Sequence, residues 1–252
     1  MSRLHVEISG KGPDLVMLHG WAMHSGIWGG IRDQLARHFR LHLVDLPGHG
    51  QSPMWESYSL EAIVNSVAEI LPAESIVCGW SLGGQVALKL ALSVPTQVSQ
   101  LVLVATTPCF VKREDWQWGM DQSTLLLFME NLEHHYTQTL NRFFTLQVNG
   151  GCDMTHVLAQ IRDHFFQHKQ PDGHALRAGL QMLLTTDLRR KLADISQPVL
   201  LLHGENDVIT HVDAARWMHQ QLPHAKLVGF PHCGHAPFLS HPNQFITSLY
   251  DL

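Results

Sequence analysis

The chain has 252 residues, of which 45% are hydrophobic and 15% are charged, so it is long enough to bury a large core within one α/β domain. The formal net charge of −5 provides no broad cationic surface, which argues against nucleic acid as a partner. The four cysteines form no CxxC pair, no apolar run reaches about 18 residues and the N-terminus lacks a signal-peptide pattern. We therefore expect a cytoplasmic protein with free thiols and no contact with a membrane.

Short apolar runs alternate with helical patterns before residue 108 and after residue 190. This alternation is typical of buried parallel strands joined by crossover helices, and it predicts an α/β fold with a doubly wound, mostly parallel sheet. The predicted strands are Leu15–Leu18, Leu41–Asp45, Ser75–Cys78, Leu101–Ala105, Val199–His203 and Ala225–Gly229. The predicted helices are Ile27–Arg37, Leu60–Ile70, Leu82–Ser93, Val212–Gln221 and Pro242–Tyr250.

The alternation stops between Pro108 and Arg190, where aromatic, Met, His and Leu residues recur at helical spacing without a strand pattern. Such a stretch predicts an all-helical insertion, and its position between two strands indicates a cap over the sheet. The predicted organisation is a core of residues 1–107 and 191–252 with a helical cap of residues 108–190.

A nucleophile motif lies at Ser81, where an apolar strand is followed by Gly79-Trp-Ser81-Leu-Gly83 and then by a helical pattern. This is the Gly-x-Ser-x-Gly elbow in the strand–turn–helix context that it requires. Glycine is needed at both ends because a side chain there would collide with the neighbouring backbone. The motif predicts a serine hydrolase of the α/β-hydrolase fold.

The acid that would orient the catalytic base is predicted at Asp207. In this fold the chain order is Ser, acid, His, and Asp207 follows a predicted strand through a polar turn. This places the carboxyl at the carboxyl edge of the sheet, where ligands of open α/β sheets bind. Glu205 and Asp213 are the alternatives, although Glu205 could merely close the turn and Asp213 is expected to begin the next helix.

The general base is predicted in the loop after the last strand, Pro231-His-Cys-Gly-His235-Ala-Pro-Phe. His235 is preferred, with His232 as the alternative, and together with Ser81 and Asp207 it completes a catalytic triad. Nineteen histidines raise the question of a metal, but they form no HExxH or comparable cluster. We expect neither a metal nor an organic cofactor.

Two backbone amides are candidates for the oxyanion hole, which stabilises the charge that develops on the carbonyl oxygen. The elbow supplies the N–H of Leu82. An early strand ends in His19-Gly20, so the N–H of Trp21 is the second candidate, and its indole could form part of a pocket.

The segments HGWAMHSGIW, LHLVDLPGHGQS, GWSLGGQVA, ATTPCF, RFFTLQ, TDLR and GHAPFLSHP give the chain a resemblance to the pimeloyl-[acyl-carrier protein] methyl ester esterases of biotin synthesis. The resemblance implies a serine carboxylesterase that hydrolyses the methyl ester of pimeloyl-acyl-carrier protein and releases methanol. It also implies that Phe143, Phe144, Thr145, Leu146 and Gln147 bind substrate together with Trp21, Ser81, Leu82 and His235.

The partner implied by the resemblance is an acyl-carrier protein, docked by cap arginines. Arg142 matches the family pattern, but Gly150–Gln160 contains no basic residue, so Arg162 with Lys169 would have to replace the missing arginines. We expect the protein to be a monomer that acts on this carrier-bound ester and also on small esters. A broad short-chain carboxylesterase and a non-catalytic binding protein on the same fold are the alternatives.

Overall fold

The computed structural model describes residues 3–166, 169–250 and 252, and in that part of the chain seven strands form one sheet of order β1-β3-β2-β4-β5-β6-β7. Every neighbouring pair is parallel except β1 with β3. β4 and β6 are buried at every position, as expected of parallel strands covered on both faces. The strands are β1 Val6–Gly10, β2 Asp14–Leu18, β3 Arg40–Val44, β4 Ser75–Trp80, β5 Val98–Val104, β6 Val199–Gly204 and β7 Ala225–Phe230.

Helices connect the strands of the core. α3 packs on β4 and β5, and α8 packs on β6 and β7. No helix in the described residues is both long and apolar enough to cross a membrane. The mostly parallel, helix-covered sheet confirms the predicted fold class. The core helices are α1 Gly29–Leu35, α2 Leu60–Ile70, α3 Leu82–Ser93, α8 Val212–Gln221, α9 Pro237–Ser240 and α10 Pro242–Tyr250.

Several elements differ from the sequence prediction, among them the short helix α9, which was not predicted. The helix predicted over Ile27–Arg37 is a 3-10 turn at Ser25–Trp28 followed by α1, because the His24 side chain accepts a hydrogen bond from Gly26 N and starts the turn early. The edge strand β1 was not predicted. Its residues are at most partly buried, so the strand lacks the apolar run by which the other strands were identified.

Between β5 and β6 the chain forms the four helices α4 Gln122–His134, α5 Tyr136–Val148, α6 Met154–Phe166 and α7 Gly173–Thr185. The sequence predicted helix throughout this insertion, but residues 109–120 instead form irregular chain with isolated bridges. One bridge joins Cys109 to Asp187, so the entry into the insertion and the exit from it lie side by side. We propose on this basis that the cap comprises residues 108–190 and the core residues 1–107 and 191–252.

Candidate active site

Ser81 occupies a strained turn between β4 and α3. Its φ of 55° and ψ of −116° lie where side chains are rarely tolerated. A Cβ at Gly79 would lie 2.3 Å from Gly83 O, and a Cβ at Gly83 would lie 2.5 Å from Leu18 O. Only glycine therefore permits a turn this tight, which lifts the Ser81 side chain above the edge of the sheet.

Backbone hydrogen bonds hold the turn in this conformation. Ser81 N donates to Val104 O at 2.9 Å, and Ser81 O accepts from Gly84 N at 2.9 Å and from Thr106 Oγ1 at 2.7 Å. Hydrogen bonds with β5 and with the chain that follows it thus hold the Ser81 backbone in its strained conformation. The Ser81 side chain is left to form part of a cavity wall.

The structure brings Asp207 and His235 into direct contact. His235 Nδ1 donates to Asp207 Oδ2 at 2.7 Å, and both residues are almost fully buried. Asp207 Oδ1 also accepts from the backbone N–H groups of Ile209 at 2.8 Å and Thr210 at 3.0 Å. The carboxylate is therefore fixed in position and oriented toward the imidazole.

The alternative acids and base lie elsewhere. Glu205 is exposed, and Asp213 pairs with Arg216 at 2.7 Å in the first turn of α8. His232 is exposed, and its backbone carbonyl accepts a hydrogen bond from Cys152 N at 2.7 Å. The geometry thus favours Asp207 and His235 as the acid–base pair.

Asp207 is ionised in this setting although burial alone opposes ionisation. Complete burial would raise its pKa. Several interactions lower the pKa and outweigh that effect: the charge and hydrogen bond of His235, the nearby His203 and the hydrogen bond from the Thr210 N–H. The pKa of Asp207 consequently lies below its usual value. An ionised carboxylate accepts only, so the proton in the short hydrogen bond is on His235 Nδ1.

His235 also lies against the residue that precedes Ser81. Trp80 Nε1 donates to His235 O at 2.8 Å, and the two ring centroids are 5.6 Å apart. In the neutral imidazole with its proton on Nδ1, Nε2 carries a lone pair, and this buried atom has no hydrogen-bond partner among the described residues. An acceptor beside the nucleophile turn is what a general base requires.

Both predicted oxyanion donors border this turn. Leu82 is the first residue of α3, so its N–H has no acceptor within the helix. The loop carrying Trp21 runs alongside, since a Cβ at Gly20 would be 3.3 Å from Ser81 Cβ. The segments that carry the two predicted donors therefore both lie beside Ser81, which is where an oxyanion hole would need them.

Side-chain hydrogen bonds fix the Trp21 loop on both sides. His19 Nδ1 donates to Gly20 O at 2.8 Å, while His19 Nε2 accepts from Leu46 N at 3.0 Å. The indole Nε1 of Trp21 donates to Leu176 O of α7 at 2.8 Å. The loop is therefore tied to the chain after β3 and to the cap.

A cavity of about 410 Å³ lies between the core and the cap, with Ser81 in its wall. Its surface is mainly apolar, with polar side chains from α4, from α5 and from the residue between these two helices. Its volume is within the range of a small-molecule site. Apolar wall residues include Trp21, Leu125, Phe128, Phe143, Leu146 and Leu180. Polar wall residues include Thr124, Asn131, His135, Gln138 and Arg142.

Only part of the predicted substrate segment faces this cavity. Phe143 and Leu146 form part of the wall. Phe144 instead packs on Phe165 with ring centroids 5.0 Å apart, and Thr145 is exposed. Five consecutive residues of a helix point in different directions, about 100° apart, so they cannot all line one cavity.

Three other predicted binding residues lie outside the cavity wall. Leu82, which follows Ser81 in the chain, and His235, which packs on Trp80, are both buried and are absent from the wall. Gln147 is buried with both side-chain polar atoms unpaired among the described residues, but its backbone O accepts from His235 N at 2.8 Å. Gln147 therefore contacts the loop of the base rather than the cavity.

The two arginines predicted to dock a carrier protein occupy different positions. Arg142 is exposed on α5 and borders the cavity. Arg162 is half-buried on α6 and is not in the cavity wall, and its Nε is buried without a partner in the described part of the chain. Lys169 is exposed. Arg142 alone thus combines exposure with a position at the cavity.

Two polar residues at the site were missed by the sequence analysis. Thr210 Oγ1 lies 2.8 Å from Asp207 Oδ2, and His203 Nε2 donates to Thr210 O at 2.7 Å. The available signal was weak, since a threonine three residues after an aspartate is also an ordinary turn residue. Among the described residues, no group of three His, Cys, Asp or Glu side chains is placed to hold a metal ion.

Comparison with known proteins defines the class of the chain first. The α/β-hydrolase fold family matches residues 13–242, and the chain belongs to that class. Solved structures of similar shape include an esterase from Exiguobacterium antarcticum, with a TM-score of 0.89 and 24% identity over 98% of this chain and 94% of that one. A bromoperoxidase from Bacillus anthracis has a TM-score of 0.90 at 19% identity, over 98% of this chain and 94% of that one. At these identities the likeness shows the fold alone.

Sequence relatives define the family within that class. A pimeloyl-[acyl-carrier protein] methyl ester esterase from Nitrosomonas europaea is 60% identical over 98% of each chain. The protein of the same name from Nitrosospira multiformis is 54% identical over 98% of this chain and 96% of its own. The chain therefore belongs to the pimeloyl-[acyl-carrier protein] methyl ester esterase family.

Proposed function

We propose that the protein is a serine carboxylesterase that hydrolyses the methyl ester of pimeloyl-acyl-carrier protein to pimeloyl-acyl-carrier protein and methanol, in biotin synthesis. The observation that carries this proposal is the 2.7 Å hydrogen bond between His235 and Asp207 beside the strained Ser81 turn. The names of relatives up to 60% identical support the choice of substrate.

In the first half of the reaction, Ser81 Oγ attacks the ester carbonyl while His235 Nε2 accepts the hydroxyl proton. The amides of Trp21 and Leu82 bind the oxyanion of the tetrahedral intermediate. The intermediate collapses when the imidazolium returns its proton to the methoxy oxygen. Methanol leaves, and the acyl group remains esterified to Ser81.

In the second half, His235 removes a proton from a water molecule, and the hydroxide attacks the acyl carbonyl. The same amides bind the second oxyanion, and Ser81 leaves with the proton from His235. The free carboxylate departs from the cavity. Asp207 stabilises the imidazolium in both halves, so the chain itself supplies every proton transfer and no metal or organic cofactor takes part.

The cavity suits an acyl chain of several methylenes because Phe143 and Leu146 line it. Arg142, exposed where the cavity borders α5, and Arg162 on α6 would attract the acidic surface of a carrier protein. Small esters would enter the same cavity without such docking. We further propose that the protein acts as a monomer in the cytoplasm, where carrier-bound acyl chains are made.

The decisive variant is Ser81→Ala, with Ser248→Ala on α10 as the matched control. Ser81→Ala should lower kcat at least about 1,000-fold, since it removes the nucleophile, and it should abolish labelling by a fluorophosphonate. Ser248→Ala should keep both. Esterase activity that survives in Ser81→Ala would overturn the proposal, and a wild-type protein that is not labelled would indicate a binding protein instead.

The substrate is tested by comparing kcat/KM for a carrier-bound pimeloyl methyl ester with that for a free short-chain methyl ester. A specialist should prefer the carrier-bound ester, and Arg142→Glu should lower kcat/KM for that ester more than for the free ester. Equal rates in the wild type would instead identify a broad short-chain carboxylesterase. Restored growth of a biotin-requiring strain that lacks its own esterase would test the biological role.

A further inference from the structure

The hydroxyl of Thr210 lies against the carboxylate that orients the proposed base. Its Oγ1 is 2.8 Å from Asp207 Oδ2, the same oxygen that accepts from His235 Nδ1 at 2.7 Å. We propose that Thr210 is a positioning residue, whose hydroxyl donates to Asp207 and sets the strength of the Asp207–His235 hydrogen bond. This inference rests on the proposed function, since it assumes that His235 is the base.

The hydrogen-bond partners of Asp207 divide between its two oxygens. Oδ1 accepts from Ile209 N at 2.8 Å and Thr210 N at 3.0 Å. Oδ2 accepts from the Thr210 hydroxyl and from His235. The backbone therefore holds one oxygen, while a replaceable side chain shares the other with the imidazole.

The direction of the hydroxyl proton follows from the two acceptors within reach. Thr210 Oγ1 lies 2.8 Å from Asp207 Oδ2 and 3.0 Å from Ala105 O. Hydrogen bonds to an ionised acceptor are about twice as strong as those between neutral groups. The carboxylate is also the nearer acceptor, so the proton lies mainly toward Asp207.

Two histidines and one carboxylate face the hydroxyl from the elements around it. His203 of β6 donates through Nε2 to Thr210 O at 2.7 Å, and its Nε2 is 3.5 Å from both Thr210 Oγ1 and Asp207 Oδ2. Burial lowers the pKa of His203, so its ring is neutral at pH 7. His235 Nδ1 is 3.4 Å from Thr210 Oγ1. Asp207 is thus the only anion in contact with the hydroxyl among the described residues.

This arrangement has a consequence for catalysis. A donor on Oδ2 withdraws part of the negative charge that would otherwise act on His235. Without the hydroxyl, Asp207 stabilises the imidazolium that forms during catalysis more strongly. The carboxylate is also held by one hydrogen bond fewer, so the imidazole is oriented less firmly toward Ser81.

The test compares Thr210→Val, which keeps the shape of the side chain without its hydroxyl, with Thr210→Ser, which keeps the hydroxyl. For a p-nitrophenyl ester of a short acid, Thr210→Val should lower kcat about threefold to thirtyfold and leave KM unchanged. The acidic limb of its kcat/KM profile should move to higher pH. Thr210→Ser should match the wild type in both measurements.

Circular dichroism would confirm that each variant is folded, and Thr210→Ala replaces the valine variant if the latter does not fold. Equal losses in the valine and serine variants, or an unmoved acidic limb, would overturn the inference, because either result indicates packing alone. An active Ser81→Ala protein would instead overturn the proposed function. An inactive Ser81→Ala protein with a fully active Thr210→Val protein would overturn only the role of Thr210.

Discussion

At the scale of single residues, the nucleophile turn depends on positions where no side chain fits. A Cβ at Gly83 would lie 2.5 Å from Leu18 O and 2.6 Å from His19 O. Both contacts are with backbone atoms, which cannot move aside as a flexible side chain could. The same two residues lead into the loop that carries the Trp21 amide, so bulk at Gly83 would disturb the elbow and the proposed oxyanion site together.

Gly83→Ala should therefore lower the free energy of unfolding by at least about 2 kcal/mol and remove most of the esterase activity. Gly30→Ala is the matched control, because Gly30 is an exposed helical residue whose Cβ would meet nothing within 4 Å. That change should stabilise the protein by about 0.5 kcal/mol. Denaturant unfolding and ester hydrolysis measure both effects, and a stable, active Gly83→Ala protein would contradict the steric argument.

At the scale of elements, α5 presents different faces to different surroundings. Phe143 and Leu146, three residues apart, face the cavity. Phe144 is fully buried against α6, and Thr145 is exposed, with its Oγ1 donating to Asn141 O at 2.9 Å. The preference of the enzyme for acyl chain length should therefore depend on the residues of one face of α5 alone.

Leu146→Trp should reduce kcat/KM for esters of long acids roughly tenfold more than for acetate esters, since the indole occupies space needed for distal methylenes. Thr145→Trp adds the same bulk on the exposed side and should leave that ratio unchanged. The measurement is a series of p-nitrophenyl esters of increasing acyl length. A similar change of the ratio in both variants would contradict the assignment of the faces of α5.

At the scale of the whole molecule, buried histidines link stability to pH. Burial and the nearby His49 lower the pKa of His19 to about 3, and burial lowers the pKa of His49 to about 4. Burial also lowers the pKa of His203. In the unfolded chain these residues titrate near pH 6.5, so below that pH the unfolded state binds protons that the folded state does not. Stability should therefore fall as the pH decreases from about 6.5 toward 4.

The contribution of one histidine can be isolated with His49→Asn. Each histidine contributes up to about 1.4 kcal/mol of destabilisation per pH unit within this window. The variant should therefore lose less stability than the wild type between pH 7 and pH 5. His219→Asn, at an exposed position on α8, is the control and should follow the wild type. Urea unfolding at the two pH values measures the difference, and parallel losses in all three proteins would contradict the linkage.

The sequence by itself determined the features that depend on local pattern. Apolar runs identified six strands, because a strand buried on both faces needs continuous apolar residues. Helical periodicity placed α2 and α3 at their observed ends. The Gly-x-Ser-x-Gly spacing located Ser81, since the steric demand of the turn operates within five residues. Chain order then limited the acid and the base to a few candidates.

Only the tertiary structure decided the features of the site that depend on contacts between residues far apart in the chain. The contact with His235 distinguishes Asp207 from Glu205, although both follow the same strand. The packing of α5 against α6 decides that Phe144 faces away from the cavity. Thr210 likewise became apparent only through its position beside the carboxylate. Local sequence cannot specify such choices, because their energies come from groups brought together only when the chain folds.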